Sequence, residues 1–257
     1  MRVLLTGASG GIGGALARAL ASDGHALLLQ GRDTGRLAAV KATIPTADCD
    51  VIRADLTDAG DRQLVCAAAS AFGVDTLCNN AGINQFGAFT ESAAARIIDT
   101  NVTATLQLTQ ALLPVLLRHP SPRIVVIGSA LGAIGFPGYV AYCASKFALR
   151  GFTEALAREY ADTPLTVHYV SPRATATPMN GDNVDALNDA LGTETDTPEA
   201  VAAQGLKAIR KDQRRSQIGR AEALQSTLNA VAPSLVDGAL RRQLPRIKQF
   251  FEETPHV

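Results

Sequence analysis

Tyrosine and lysine stand four residues apart in Tyr142-Cys143-Ala144-Ser145-Lys146, and Ser129 precedes the tyrosine by thirteen positions. The pattern of residues 139–160 predicts a helix, on which i,i+4 spacing brings the phenol and the ammonium to one face. A free tyrosine, with a pKa of about 10, is a poor base at neutral pH. A cation held close by favours the phenolate and lowers that value. Given a hydroxyl donor from another segment, the pair could move a proton on or off an alcohol oxygen. The same spacing is also common in plain surface pairs, so the rest of the chain must supply a reason for the chemistry.

The N-terminal stretch supplies one. Arg2-Val3-Leu4-Leu5 is a short apolar run, followed by Thr6-Gly7-Ala8-Ser9-Gly10-Gly11-Ile12-Gly13-Gly14 and the helix formers Ala15 to Ala21. Strand, glycine turn and helix in that order is the context a dinucleotide site requires. The glycines permit the tight turn, close approach to a pyrophosphate and packing of helix on sheet. The helix N-terminus receives the phosphate charge. A second apolar run, Ala26 to Leu29, ends at Gln30-Gly31-Arg32. An acidic residue there, about 20 positions beyond the glycine loop, would hold the ribose 2′-hydroxyl of NAD. Instead Gly31 leaves room and Arg32 offers a guanidinium suited to the 2′-phosphate of NADP. The reading is NADP(H) over NAD(H), although Asp33 blurs the local charge and Arg32 also fits as an ordinary surface arginine.

These motifs need a scaffold. Candidate strands at 2–6, 25–30, 49–53, 74–78, 122–128 and 165–170, with a shorter one near 216–218, alternate with helical patterns. The helices are predicted at 11–23, 34–43, 58–72, 91–118 and 139–162. Such alternation predicts an α/β fold, a Rossmann-like doubly wound parallel sheet of about seven strands with helices on both faces. Ligands in such sheets lie at the carboxyl ends of the strands. Gly7–Gly13, Arg32, Asp55, Asn79–Gly82, Ser129 and Pro172–Thr177 all follow strands. No linker divides residues 1–257, so a single domain is expected, with residues 220–252 as a C-terminal helical extension. That extension carries an apolar face at Leu224, Leu228, Val231, Leu235, Val236, Leu240, Leu244, Ile247, Phe250 and Phe251. Packed core is the default reading for it, beside a dimer contact or a lipid-facing patch.

Composition excludes several functions. Formal net charge is +0, with 24 basic and 24 acidic residues; this removes the electrostatic footprint of a nucleic-acid or anionic-membrane binder. The first apolar run stops at Thr6, unlike a signal peptide, and Ala111–Leu117 is too short for a transmembrane segment. Cys49, Cys66, Cys78 and Cys143 lack metal-type spacing and read as reduced thiols of a cytoplasmic protein. His25, His119, His168 and His256 are scattered, so no metal site is expected.

Together these residues resemble the short-chain dehydrogenase/reductase family over Arg2 to about Thr177. Thr6-Gly7-x-x-x-Gly11-x-Gly13 is similar to its cofactor loop, which includes Ser9 and Ile12. Asp55-Leu56-Thr57 resembles the turn that contacts adenine. Asn79-Asn80-Ala81-Gly82 resembles the motif beside the cofactor, and Asn101 matches the active-site asparagine. Ser129, Tyr142 and Lys146 stand at the family's spacing. The resemblance implies hydride transfer between nicotinamide and a carbonyl or secondary alcohol, with Tyr142 exchanging the proton. Lys146 would lower the tyrosine pKa and hold the nicotinamide ribose, Ser129 would bind the substrate oxygen, and Asn101 would support a water-mediated proton path. Pro172, Thr175 and Thr177 would meet the nicotinamide end.

Three departures limit the resemblance. Arg173 replaces the usual glycine after Pro172; it could contact cofactor or protein groups on the phosphate side, but is read as pointing to solvent. Gly10 stands where NADP-preferring relatives often carry a basic residue. A homodimer or homotetramer is implied, but the missing Val-Asp-Gly-Gly ending argues against the usual tetramer contact. The small-molecule substrate is undefined. Leu131, Ile134, Phe136, Pro137, Val140 and Phe86–Phe89 would favour an apolar ketone, aldehyde or 3-oxoacyl compound if they line the pocket, but serve equally as loop packing. Residues 178–197 resemble a mobile covering loop. A nicotinamide-binding redox regulator would show a degraded catalytic set, whereas a nucleotide-sugar epimerase or dehydratase shares the Tyr/Lys pair.

Overall fold

A computed structural model describes residues 1–44 and 48–251. Glu252, the last residue of the expected extension, and His256 lie outside the described residues. Seven parallel strands form one sheet in the order β3-β2-β1-β4-β5-β6-β7. They are β1 (Arg2–Leu5), β2 (Ala26–Gly31), β3 (Cys49–Arg53), β4 (Thr76–Asn79), β5 (Arg123–Ile127), β6 (Thr166–Ser171) and β7 (Arg215–Gln217). The predicted doubly wound sheet is therefore present, and its order reverses between β1 and β4. That switch point leaves a crevice at the strands' carboxyl ends. Every residue of β2 is buried, as expected of a strand covered on both faces. By contrast, the outer strand β3 exposes Asp50, Val51 and Arg53.

Helices α1 (Gly11–Ser22), α2 (Thr34–Ala42), α3 (Ala59–Phe72), α4 (Ala94–Ile98), α5 (Ala104–Leu116) and α6 (Val140–Glu159) follow the strands. Asp33 caps α2 by accepting from the Arg36 N–H, and Asp58 caps α3 by accepting from Asp61. One helix was expected over 91–118; the backbone is continuously helical over Ala94–Leu116, with one wide turn inside it separating α4 from α5. The Ala104 N–H reaches the carbonyl of Asp99, five residues back, in a single π turn over Asp99–Thr103. Such wide turns accommodate an extra residue at functional sites. Here the inserted turn carries Asn101, whose fully buried side chain is fastened to another segment.

The second half departs further from the expected pattern. Residues 178–197 contain α7 (Asp182–Leu191), and α8 (Pro198–Arg210), which the sequence reading omitted, packs beside α1. Its signals were present: Thr197 caps the helix by accepting from the Ala200 N–H, and Pro198 occupies the first turn. Finally, α9 (Arg220–Val231) and α10 (Pro233–Gln249) realise the predicted C-terminal helices. Ile247 of α10 is fully buried against Phe86, Tyr139, Val184 and Leu187, so this end of the extension is core.

Beneath the sheet's far edge lies His168, wholly buried on β6. Its Nδ1 is 3.0 Å from the Gln213 carbonyl, which can only accept, so that nitrogen carries the proton. Burial holds its pKa below 6.5, despite Gln213 and Asp212, which act the other way; Arg123 and Arg214 add to the lowering. His25 is lowered too, chiefly by burial. A histidine of depressed pKa takes up its proton more readily in the unfolded chain, so stability is lost as pH falls through the unfolded value of about 6.5. Urea titrations between pH 7 and 5 should show the loss, with His168→Gln reducing the slope. A slope unchanged in the variant would refute the assignment.

Candidate active site

A cleft of about 930 Å³ opens at the switch point. The glycine loop forms its floor, with Gly7, Ser9, Gly11, Ile12 and Gly13 all lining it. A β-carbon at Gly13 would stand 2.2 Å from the Gly7 carbonyl oxygen, so only glycine lets the helix start this close to the turn. Gly10 at the N-cap of α1 provides no side-chain cap. The first-turn N–H groups are thereby left to whatever enters the cleft.

Two residues hold the loop in place. Thr6 Oγ1 accepts from the N–H groups of Asn80 at 2.9 Å and Ala81 at 3.0 Å. Asn80 Nδ2 in turn donates to the carbonyls of Thr6 and Gly7. This knot ties the end of β1 to the end of β4, which explains why Asn80, Ala81 and Gly82 flank the cleft. Gln30, which the sequence reading treated only as a strand end, also matters. Its Oε1 accepts from the Gly7 N–H at 3.1 Å, and its Nε2 donates to the Ala54 carbonyl at 2.8 Å.

Beyond β2 the cleft ends in a corner beside Gly31, where a β-carbon would stand 3.0 Å from the Ser9 hydroxyl and 3.1 Å from Leu37, so the chain packs there too closely for a side chain. Arg32 lines it together with Arg36, a second guanidinium that sequence reasoning missed. Asp33 lines the same corner; its carboxylate caps α2 and lies 3.8 Å from Arg36, so it offsets part of the positive charge there. Asp55 and Leu56 line the adjoining wall. Hydrogen bonds from the Thr57 N–H and hydroxyl keep the Asp55 carboxyl below its ordinary range.

Ser129, Tyr142 and Lys146 converge on the opposite wall from two elements, the end of β5 and the first turns of α6. Lys146 is only 5% exposed, donates to the Ile127 carbonyl at 3.1 Å, and is pushed down to about 8 by burial. Its Nζ lies 5.5 Å from the centre of the Tyr142 ring. The expected lowering of the tyrosine pKa is not what this arrangement gives. Burial dominates and raises it well above 10.0, with the neighbouring Ser129 hydroxyl acting in the opposite sense. Ser129 Oγ also accepts from the Leu131 N–H at 3.1 Å, which aims it.

Asn101 stands behind this trio and does not line the cleft. Its amide exchanges two hydrogen bonds with Ile83 and donates to Ser145 Oγ at 3.0 Å. Ser145 then donates to the Tyr142 carbonyl at 2.7 Å. The side chain thus couples α6 to the strand-end loop beside Gly82.

The short chain dehydrogenase family model matches residues 1–188. The chain belongs to the short-chain dehydrogenase/reductase family. It is 37% identical over 179 residues to Nodulation protein G of Rhizobium meliloti, covering 66% of this chain and 71% of that protein. A short-chain dehydrogenase/reductase from Burkholderia phymatum in complex with NAD superposes with a TM-score of 0.81 at 24% identity, over 91% of this chain and 94% of that one. A variant of actinorhodin polyketide ketoreductase with NADPH superposes with a TM-score of 0.76 at 27% identity, over 84% and 94%. The fold binds a nicotinamide cofactor, and these two structures hold different ones.

Within this dehydrogenase/reductase, Pro172, Thr175 and Thr177 line the same cleft as Ser129, Tyr142 and Lys146. Arg173 does not point to solvent as expected. Its guanidinium makes two bonds to Asp196, at 2.9 and 3.0 Å, and also pairs with Glu194. Thr175 pairs with Asp196 through a β-bridge, so the fork fixes the loop after β6 against the segment before α8. Beyond it, Leu228 of α9 and Leu235, Val236 and Leu240 of α10 wall the cleft. The C-terminal extension is therefore part of the site. Among the described residues, no group of His, Cys, Asp and Glu could hold a metal ion.

Proposed function

We propose that this family member is an NADP(H)-dependent carbonyl reductase or alcohol dehydrogenase acting on an apolar ketone, aldehyde or 3-oxoacyl-type substrate. The observation that carries the reading is the convergence of Ser129, Tyr142 and Lys146 across one cleft from the glycine loop. The loop fits a dinucleotide, because a β-carbon would fill its cradle at Gly13 and the helix behind it is uncapped. When bound, the nicotinamide supplies or accepts the hydride. Tyr142 gives its proton to the forming alkoxide, and Ser129 donates a hydrogen bond to the same oxygen. Burial that raises the phenol's pKa keeps the proton on it at neutral pH, which suits reduction. Lys146 holds the ribose hydroxyls, and Asn101 positions Tyr142 through Ser145. The uninterrupted catalytic set favours an enzyme over a redox-sensing regulator. The test is a panel of carbonyl compounds followed by NADPH and NADH oxidation; retention of one unreleased cofactor through turnover would instead identify an epimerase.

The NADP preference rests on Arg32 and Arg36, two guanidinium groups lining the corner beside Gly31. Arg32→Ala should raise KM for NADPH about tenfold or more while changing that for NADH by less than about twofold, as one charge-assisted bond to phosphate is lost. Equal changes would reject the assignment.

A homodimer or homotetramer is part of the proposal. Val140 and Phe147 of α6 are 49% and 42% exposed, and Ala144, Ala148 and Gly151 continue the stripe. No exposed position on the outer face of α5 (Gln107, Gln110, Ala111 and Pro114) is charged. Phe147→Glu should convert the assembly to monomers in sedimentation, and a wild-type monomer would refute it. No helix among the described residues is long and apolar enough to cross a membrane. A cytoplasmic setting, keeping the four cysteines as thiols, completes the reading.

A further inference from the structure

The stretch after β6 and the segment before α8 are the two legs of one loop, and they meet at its neck. The Asp196 N–H donates to the Ala174 carbonyl and the Ala176 N–H to the Asp196 carbonyl, both at 2.9 Å. Residues 177–195 between the legs carry α7, from which Val184, Leu187 and Leu191 line the cleft. Val184 and Leu187 are also buried against Phe86 and Tyr139. The foot of the loop rests on the glycine turn, since a β-carbon on Gly11 would stand 2.9 Å from Thr177. Movement at the neck therefore reaches the apolar wall and the glycine floor together.

Two backbone hydrogen bonds are a small fastening for such a loop. Arg173 supplies a stronger one: Nε and Nη2 donate to the two carboxylate oxygens of Asp196, and Nη1 pairs with Glu194. The Arg173 and Asp196 side chains are 18% and 12% exposed, so solvent ions screen this pair little. The arginine stem also lies over Gly219, the N-cap of α9, where a β-carbon would stand 3.1 Å from its Cδ. One side chain thus joins both legs of the loop to the turn that launches α9, whose Leu228 walls the same cleft. We infer that Arg173 is a positioning residue: its fork to Asp196 shuts the neck of the 177–195 loop and assembles the substrate wall before substrate arrives. A wall built in advance spares the substrate the cost of ordering the loop, and the gain falls on KM rather than on the chemical step. This rests on the proposed reductase reading for its substrate and is indifferent to the choice between NADPH and NADH.

Arg173→Gln, Asp196→Asn and the double variant test it in the full chain with cofactor bound. Each single variant should raise KM for the carbonyl substrate by about tenfold, with kcat within about twofold, as one charge-assisted fork is lost. The double variant should stay within about twofold of either single, because all three remove the same contact. Asp196→Asn is nearly isosteric and guards against an Arg173 variant that fails to fold. Thermolysin cleavage within residues 177–195, mapped by mass spectrometry, reads the neck without turnover and should be about tenfold faster in every variant. If no carbonyl is reduced, yet cleavage accelerates in both single variants, the reductase reading falls and the Arg173 assignment stands. Loss of cofactor affinity in Arg173→Gln but not in Asp196→Asn would make Arg173 a direct cofactor contact and overturn the assignment. A lower Tm with KM and cleavage unchanged would reduce the fork to a folding contact and overturn it too.

Discussion

Tyr142→Phe should lower kcat for carbonyl reduction by about a hundred- to ten-thousandfold, the usual share of a positioned general acid. NADPH affinity should change by less than about twofold. The substitution removes one oxygen and leaves a ring that packs beside Tyr139, so the scaffold survives. What disappears is the proton donor. The same argument sets a pH dependence. Because burial raises the phenol's pKa, the protonated acid persists through neutral pH, and reduction should hold there while alcohol oxidation climbs toward alkaline pH. Single-turnover kinetics with fluorescence titration of NADPH separate chemistry from binding. Undiminished turnover in Tyr142→Phe would remove Tyr142 from the mechanism.

A comparable loss should follow from a single methyl group on the other side of the cleft. Gly13→Ala places a β-carbon 2.2 Å from the Gly7 carbonyl, 2.8 Å from Asn80 Nδ2 and 3.0 Å from Ala8. Backbone must move, and it is the backbone that Thr6 and Asn80 knot together. Overpacking of this kind costs about 1–3 kcal/mol, or several degrees of Tm in a chain this long. The displaced turn should also weaken NADPH binding by about tenfold or more. Gly14→Ala is the control, since its β-carbon would meet the flexible end of Arg18 at 3.4 Å and otherwise make ordinary contacts, with Val40 at 3.6 Å and the Ala8 carbonyl oxygen at 3.7 Å. If both variants bind and melt alike, the close approach at Gly13 does not limit the site.

The first part of the chain was legible because its signals are local. An apolar strand followed by a glycine turn and a helix can be read from adjacent residues, and a parallel sheet follows from strands joined by helices. Ser129, Tyr142 and Lys146 were found through spacing on α6 and resemblance, and the cleft brings all three together. What stayed hidden depends on contacts distant in sequence. Arg173 was read as solvent-facing because its partners, Glu194 and Asp196, lie more than twenty residues on. Arg36 looked like any helix arginine until α2 placed it beside Arg32. The π turn inside the helix over 91–118 could not be seen either, since Asn101 is held by Ile83 from another loop. The tyrosine pKa was misjudged for a related reason. Proximity of a lysine is visible in a spacing, whereas burial is a property of the whole fold.

The walls of this cleft come from distant stretches of the polypeptide. Its glycine floor and Ser129, Tyr142 and Lys146 lie in the first part, whereas Leu228, Leu235, Val236 and Leu240 wall the far side from α9 and α10. Mutation can therefore remodel one stretch while the other keeps its register. Among descendants of such a gene, what is reduced should diverge faster than how it is reduced. A breeder of new catalysts would graft or randomise α9 and α10, and leave the glycine turn alone.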